Sequence, residues 1–216
     1  MGSWIVIILC GLYVCLEAFV AYIAHRFHIL KGEGIRKFIH IATSFLIFPV
    51  IYGIKEPVLR YVGPLFFSFF NAVAAYSGMG KILGLDDEKR HIGLVIYPLS
   101  VLFLVFLYNY GYIMAQSAIC GVMIMGLGDG MAALVGTKWG KHKYKIRGIG
   151  KKSIEGTFAM FVASFLVVYF ISPAGAWVSL LVALFSSLVE NISPSGVDNA
   201  TVPILSSLLL EVLCRL

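Results

Sequence analysis

Gly126-Leu-Gly-Asp-Gly-Met-Ala-Ala-Leu-Val-Gly-Thr-Lys-Trp-Gly-Lys-His-Lys143 is an apolar helical pattern with an aspartate among glycines and lysines at its end. It is closed by Gly150-Lys-Lys-Ser-Ile-Glu-Gly156, so seven cations fall between Lys138 and Lys152. A carboxylate at the centre of a bilayer costs about 2.5–3.5 kcal/mol even on a lenient insertion scale. A chain that keeps Asp129 there puts it to use. An isolated acid, glycines and clustered lysines together suit a metal-bound polyphosphate at a membrane surface.

The surrounding chain supports the membrane setting. It has 216 residues, 60% of them hydrophobic and 13% charged, where a soluble domain carries about 25% charged residues. Mean hydropathy is +0.92. Eight apolar segments stand out, at 4–24, 37–54, 57–79, 92–109, 111–137, 154–171, 174–190 and 200–214. Each approaches the roughly 20 helical residues that cross a bilayer, and no strict alternation suggests a barrel. The pattern predicts an all-α polytopic integral membrane protein of about seven to eight transmembrane helices, forming one membrane-embedded domain over residues 1–216. The first run, broken only by Glu17, has no basic leader or cleavage site and reads as a retained span. The glycine-rich fifth segment is expected to break or tilt. Cys10, Cys15, Cys120 and Cys214 lie in apolar segments without C-x-x-C spacing, so they read as packed or lipid-facing thiols.

The cations set the topology. The loop after the first segment carries Arg26, Lys31, Arg36 and Lys37; the loop after the third, Lys81, Lys89 and Arg90. With the seven of Lys138–Lys152, fourteen of the seventeen Lys and Arg lie on one side, against Lys55, Arg60 and Arg215. The positive-inside rule places the basic loops in the cytoplasm and both termini outside, in the cell membrane. These cations read as membrane topology, and no nucleic-acid partner is expected.

Each polar motif has a bland and a chemical reading. Asp129 is a buried acid satisfied by a neighbouring helix, or a ligand for Mg2+, which takes hard oxygens and completes its shell with phosphate and water. Gly126 and Gly130 form a small-xxx-small pair that allows close helix packing. Lys151 and Lys152 stand at an expected helix start, where free N–H groups favour phosphate. A P-loop is excluded, since Lys145 occupies its first glycine position and a second lysine intervenes. Arg36, Lys37 and His40 share a helix face, as interfacial cations with a packed histidine or as a phosphate contact. Glu190 and Asp198 flank a Pro/Gly turn, and Asp198 is an N-cap or the second half of a carboxylate pair with Asp129. Glu17 and Asn71 are further intramembrane polar groups. A small transporter would use them with Asp129 as a pathway, but no inverted repeat is visible.

Taken together, Arg36-Lys-Phe-Ile-His40, Gly93–Ser100 with Tyr97-Pro-Leu99, Gly128-Asp-Gly-Met-Ala132, Lys151-Lys-Ser-Ile-Glu-Gly156 and Ser193-Pro-Ser-Gly-Val-Asp-Asn-Ala-Thr-Val-Pro203 resemble the CTP-dependent lipid-alcohol kinases. These are the phytol and farnesol kinases, dolichol kinase and the CTP-using diacylglycerol kinase. The Lys151–Gly156 element is also similar to that of the CDP-diacylglycerol synthases, which transfer a cytidylyl group and form the main alternative. The kinase resemblance implies CTP as co-substrate, Mg2+, a lipid alcohol as acceptor and a cytoplasmic-face site. It implies Asp129, Asp198 and, more weakly, Glu190 at the metal. Arg36, Lys37, Gly128, Gly130, Lys151, Lys152 and Asn199 would lie about the nucleotide. Glu155 or His40 would orient or deprotonate the hydroxyl.

Overall fold

The computed structural model describes residues 2–30, 32–76, 88–146 and 150–216; Lys31, Lys81 and Arg147 of the basic loops lie outside them. The apolar segments become helices, because a chain in lipid must satisfy its own N–H and C=O groups. In order they are α1 (Ser3–Arg26), α2 (Glu33–Ser44), a π-helical turn (Pro49–Gly53), a 3-10 turn (Pro57–Tyr61) and α3 (Val62–Tyr76). There follow α4 (Glu88–Asn109), α5 (Ala115–Met123), a second π-helical turn (Ile124–Asp129) and α6 (Gly130–Trp139). The chain closes with α7 (Ile154–Ile171), α8 (Ala176–Ile192) and α9 (Asp198–Arg215). Ser3–Arg26, Gly34–Gly53, Ile92–Asn109, Ala115–Trp139 and Ile154–Ile171 are each long and apolar enough to cross a membrane. Ala176–Ile192 is apolar but shorter. The protein is an all-α polytopic membrane protein.

One element departs from the expectation. Strands β1 (Lys143–Ile146) and β2 (Gly150–Ser153) pair antiparallel, Lys143 opposite Ser153 and Ile146 opposite Gly150. Lys151 and Lys152 are therefore strand residues. Helix α7 begins only at Ile154, where the Ser153 hydroxyl accepts the Gly156 N–H at 3.1 Å as an N-cap. Tyr144 ties the hairpin down: its hydroxyl is 2.6 Å from Thr157 Oγ1 on α7 and donates to Asn191 Oδ1 on α8 at 2.6 Å.

The α5–π–α6 run forms the centre. Two thirds (67%) of its apolar window is buried, against 17% for α1, and Ile119, Met123, Ile124 and Met125 are fully enclosed. The break expected in this segment is a π-helical widening that keeps the helix continuous and ends on Asp129. Such widenings often mark functional sites. Its glycines admit neighbouring helices. A Cβ on Gly126 would lie 2.3 Å from Ser44, one on Gly130 2.5 Å from Ile41, and one on Gly128 2.6 Å from the Met160 sulfur.

Two helices run through a proline. Pro98 in α4 cannot donate to the Leu94 carbonyl, and Pro203 in α9 cannot donate to that of Asn199. Both carbonyls find side-chain donors. Asn71 Nδ2 of α3 donates to Leu94 O at 2.9 Å, and Ser100 Oγ of α4 donates to Asn199 O at 2.7 Å. Asn71 thus replaces a missing helix bond, and Ser100 fastens α4 to the start of α9.

Candidate active site

The N-terminal parts of α2, α4 and α9 meet the end of the π-helical turn. Arg36 and Lys37 of α2, Gly93 of α4, Asp129, and Ser195, Gly196, Asp198 and Asn199 line one cleft. Its enclosed part is about 20 Å3, room for a water or a small ion. Lys37 and Asp129 form a buried ion pair, their side chains 7% and 9% exposed. Lys37 thus supplies the positive charge without which an acid at this depth would be unstable.

Asp198 is held by its own backbone surroundings. Its Oδ1 accepts the Gly196 and Asn199 N–H groups, each at 2.9 Å. Asn199 donates its side-chain amide to the Gly93 carbonyl at 2.8 Å. That contact needs a glycine, because a Cβ on Gly93 would lie 2.7 Å from Asn199 Nδ2. Gly93, Ser195 and Gly196 had no individual role in the sequence reading, although they lie within the Gly93–Ser100 and Ser193–Pro203 elements.

Glu190 stands next to this cleft without lining it. The Lys152 ammonium donates to both its carboxylate and its main-chain carbonyl. The charges of Asp129 and Asp198 both act on it. The three acids expected at a metal, Asp129, Asp198 and Glu190, are therefore neighbours, with Lys37 and Lys152 paired to two of them. Among the described residues no three His, Cys, Asp or Glu side chains are arranged to enclose a metal by themselves.

Other expected site residues lie elsewhere. Glu155 is not among the residues lining the cleft. It accepts the His142 main-chain N–H at 3.1 Å and contacts His142 Nδ1 at 2.7 Å, locking the hairpin to α7. Lys151 is exposed on β2. Gly128 and Gly130 meet α7 and α2, so close helix packing accounts for them better than contact with a nucleotide. His40 is half-buried and contacts Tyr97, the ring centroids 4.2 Å apart, within reach of the charges on Asp129, Lys37 and Arg36.

No family model matches the chain, and no solved structure matches it. The phytol kinase of Synechocystis sp. is 33% identical over 216 residues, covering 95% of this chain and 90% of the relative. This chain belongs to the lipid-alcohol kinase family. Dolichol kinases match over shorter parts. Dolichol kinase sec59 of Schizosaccharomyces pombe is 30% identical over 109 residues, 48% of this chain and 21% of that protein. Dolichol kinase EVAN of Arabidopsis thaliana is 33% identical over 99 residues, 42% of this chain and 17% of its own length. For a family member the transporter reading loses its basis. Asn71 serves the Leu94 carbonyl, Asp129 pairs with Lys37, and Glu17 takes a hydrogen bond from Thr43 at 2.7 Å.

Proposed function

We propose that this lipid-alcohol kinase uses CTP with Mg2+ to phosphorylate a membrane alcohol of the phytol, farnesol or dolichol type, or diacylglycerol. The observation that carries the reading is the convergence of Asp129 and Asp198 with Arg36 and Lys37 at one cleft. The donor set suits the metal: two hard carboxylates are what Mg2+ takes from a protein when phosphate and water complete its shell. Asp129 and Asp198 would hold it, with Glu190 behind them, and bound there it would neutralise charge on the phosphates. Arg36 and Lys37 would take triphosphate oxygens, Lys37 being already placed between an acid and the cleft. CTP as the donor rests on the motif resemblance.

Phosphoryl transfer asks a protein mainly for positioning and charge neutralisation. The alcohol oxygen attacks the γ-phosphorus. The bond from that phosphorus to the β–γ bridging oxygen breaks, and CDP leaves with the electron pair. The hydroxyl proton passes to His40, which adjoins Asp129, whereas Glu155 is occupied by His142. The cleft would face the cytoplasm of the cell membrane, with both termini outside.

The fate of a label tests the chemistry. With γ-labelled CTP, Mg2+ and a free alcohol, label is expected in the lipid fraction; with α-labelled CTP, none. Label from the α position entering lipid on addition of phosphatidate would establish cytidylyl transfer instead.

A further inference from the structure

Three shielded polar atoms beside the cleft have no hydrogen-bond partner among the described residues: Glu17 Oε2, His40 Nε2 and Tyr97 OH. They come from α1, α2 and α4. The other Glu17 oxygen accepts the Thr43 hydroxyl, and Thr43 lies three residues along α2 from His40, on the same face. His40 contacts Tyr97. Tyr97 lies one turn along α4 from Gly93, which lines the cleft together with Asp129. The three groups therefore make one polar patch adjoining Asp129.

Orphaned buried polar groups are rare and call for a partner. Ser117, Ser164 and Ser207 also carry unpartnered hydroxyls, but a helical serine can turn to the carbonyl one turn back. A carboxylate oxygen, a phenol and an imidazole on three different helices have no such recourse. Glu17 itself is only 6% exposed and Tyr97 only 8%.

We propose that Glu17, His40 and Tyr97 form the subsite for the hydroxyl group of the acceptor alcohol, an inference that rests on the kinase reading above. A hydroxyl donates once and accepts up to twice. Tyr97 OH donates to the hydroxyl oxygen, and Glu17 Oε2 and His40 Nε2 are the acceptors that share its one proton, His40 receiving it on transfer. The depth fits a lipid head. Glu17 precedes Arg26, the last residue of α1, by nine residues, about 14 Å along a helix. The hydroxyl is thus drawn in below the cytoplasmic surface while the tail stays in the bilayer, beside the apolar outer face of α1 at Leu9, Leu12, Leu16 and Phe19.

Equilibrium binding in detergent, without nucleotide, tests this. Tritiated phytol is displaced by unlabelled phytol or by phytyl methyl ether, which lacks the hydroxyl proton. A site built to hydrogen-bond a hydroxyl strongly rejects an analogue that cannot reproduce the bond, and the wild type is expected to favour the alcohol about tenfold or more. Glu17→Gln is expected to narrow that preference to about threefold, and Tyr97→Phe, which removes a donor to the oxygen that alcohol and ether share, to weaken both ligands alike. Tyr13→Phe, which removes a hydroxyl bonded to the Ala42 carbonyl on the same helix pair, should leave it intact. Equal binding of alcohol and ether by the wild type, readable without any variant, overturns the subsite and leaves the patch to water. An unchanged preference in Glu17→Gln together with unchanged binding of both ligands in Tyr97→Phe overturns it as well. Discrimination without label transfer from γ-labelled CTP would sink the proposed chemistry and leave the subsite standing.

Discussion

Lys37 and Asp129 carry two demands at once. As a buried pair they make the depth of Asp129 tolerable, and both line the cleft proposed to take the nucleotide. Removing one partner of such a pair costs about 3–5 kcal/mol, whereas apolar replacement of both is often tolerated. Lys37→Met is therefore expected to lower thermal stability in detergent. The double variant Lys37→Met/Asp129→Leu should recover most of that loss and remain inactive. A double variant as unstable as the single one would show that the pair is not what stabilises Asp129. Asp129→Asn and Asp198→Asn test the chemistry separately, since both keep side-chain size. Each is expected to lower turnover about 10²–10³-fold, the range for losing a comparable electrostatic contact. Lys143→Ala, on the exposed face of β1, should stay near wild type. Turnover close to wild type in both aspartate variants at saturating Mg2+ would remove them from the metal.

At the scale of elements, the two proline-bearing helices show how the cleft is held. Asn71 substitutes for the bond that Pro98 denies Leu94, so Asn71→Leu leaves a half-buried carbonyl without a donor, a loss of about 1 kcal/mol or more. Adding Pro98→Ala restores a main-chain N–H one turn below Leu94. The Asn71→Leu/Pro98→Ala protein is expected to unfold closer to the wild-type temperature than Asn71→Leu alone. Equal destabilisation in the two would mean that Asn71 acts through some other contact. The helices themselves were legible in the sequence, because long apolar runs have no other way to satisfy their backbone in lipid. The partner of Asn71 was not, because a proline and an asparagine on different helices share no local signal. The hairpin was missed for a different reason. Lys143-Tyr-Lys-Ile alternates outward and inward over four residues, too short a run to compete with the helix start suggested by Ser153 and Glu155. Once the hairpin is present, Lys-Lys-Ser-Ile-Glu-Gly reads largely as a joint: Ser153 caps α7, Glu155 holds His142, and Lys152 holds Glu190.

Over the whole molecule, Arg36, Lys37, Asp129, Asp198 and Asn199 cluster at one end of the bundle, and the cation count bears on which side of the membrane that end faces. We propose a direction from the same count. Fourteen of seventeen Lys and Arg lie in three alternating loops, and a bias of that size orients a polytopic chain with those loops in the cytoplasm. The cleft shares the end of the bundle from which the β1–β2 hairpin emerges, because Lys152 on β2 reaches Glu190 beside Asp129 and Asp198. Position 143, exposed on β1, therefore reports the side on which the cleft opens. The test needs Lys143→Cys in a background lacking Cys10, Cys15, Cys120 and Cys214; Cys15 is itself exposed and would otherwise react. An impermeant maleimide added to intact cells is expected to leave position 143 unmodified and to label it fully after lysis. A cysteine at Lys55, between the Pro49–Gly53 and Pro57–Tyr61 turns, should show the opposite pattern. Labelling of position 143 before lysis, with Lys55→Cys protected, would invert the molecule in the membrane. The nucleotide would then have to reach the cleft from outside the cell, and a CTP-dependent reaction there would lose its supply.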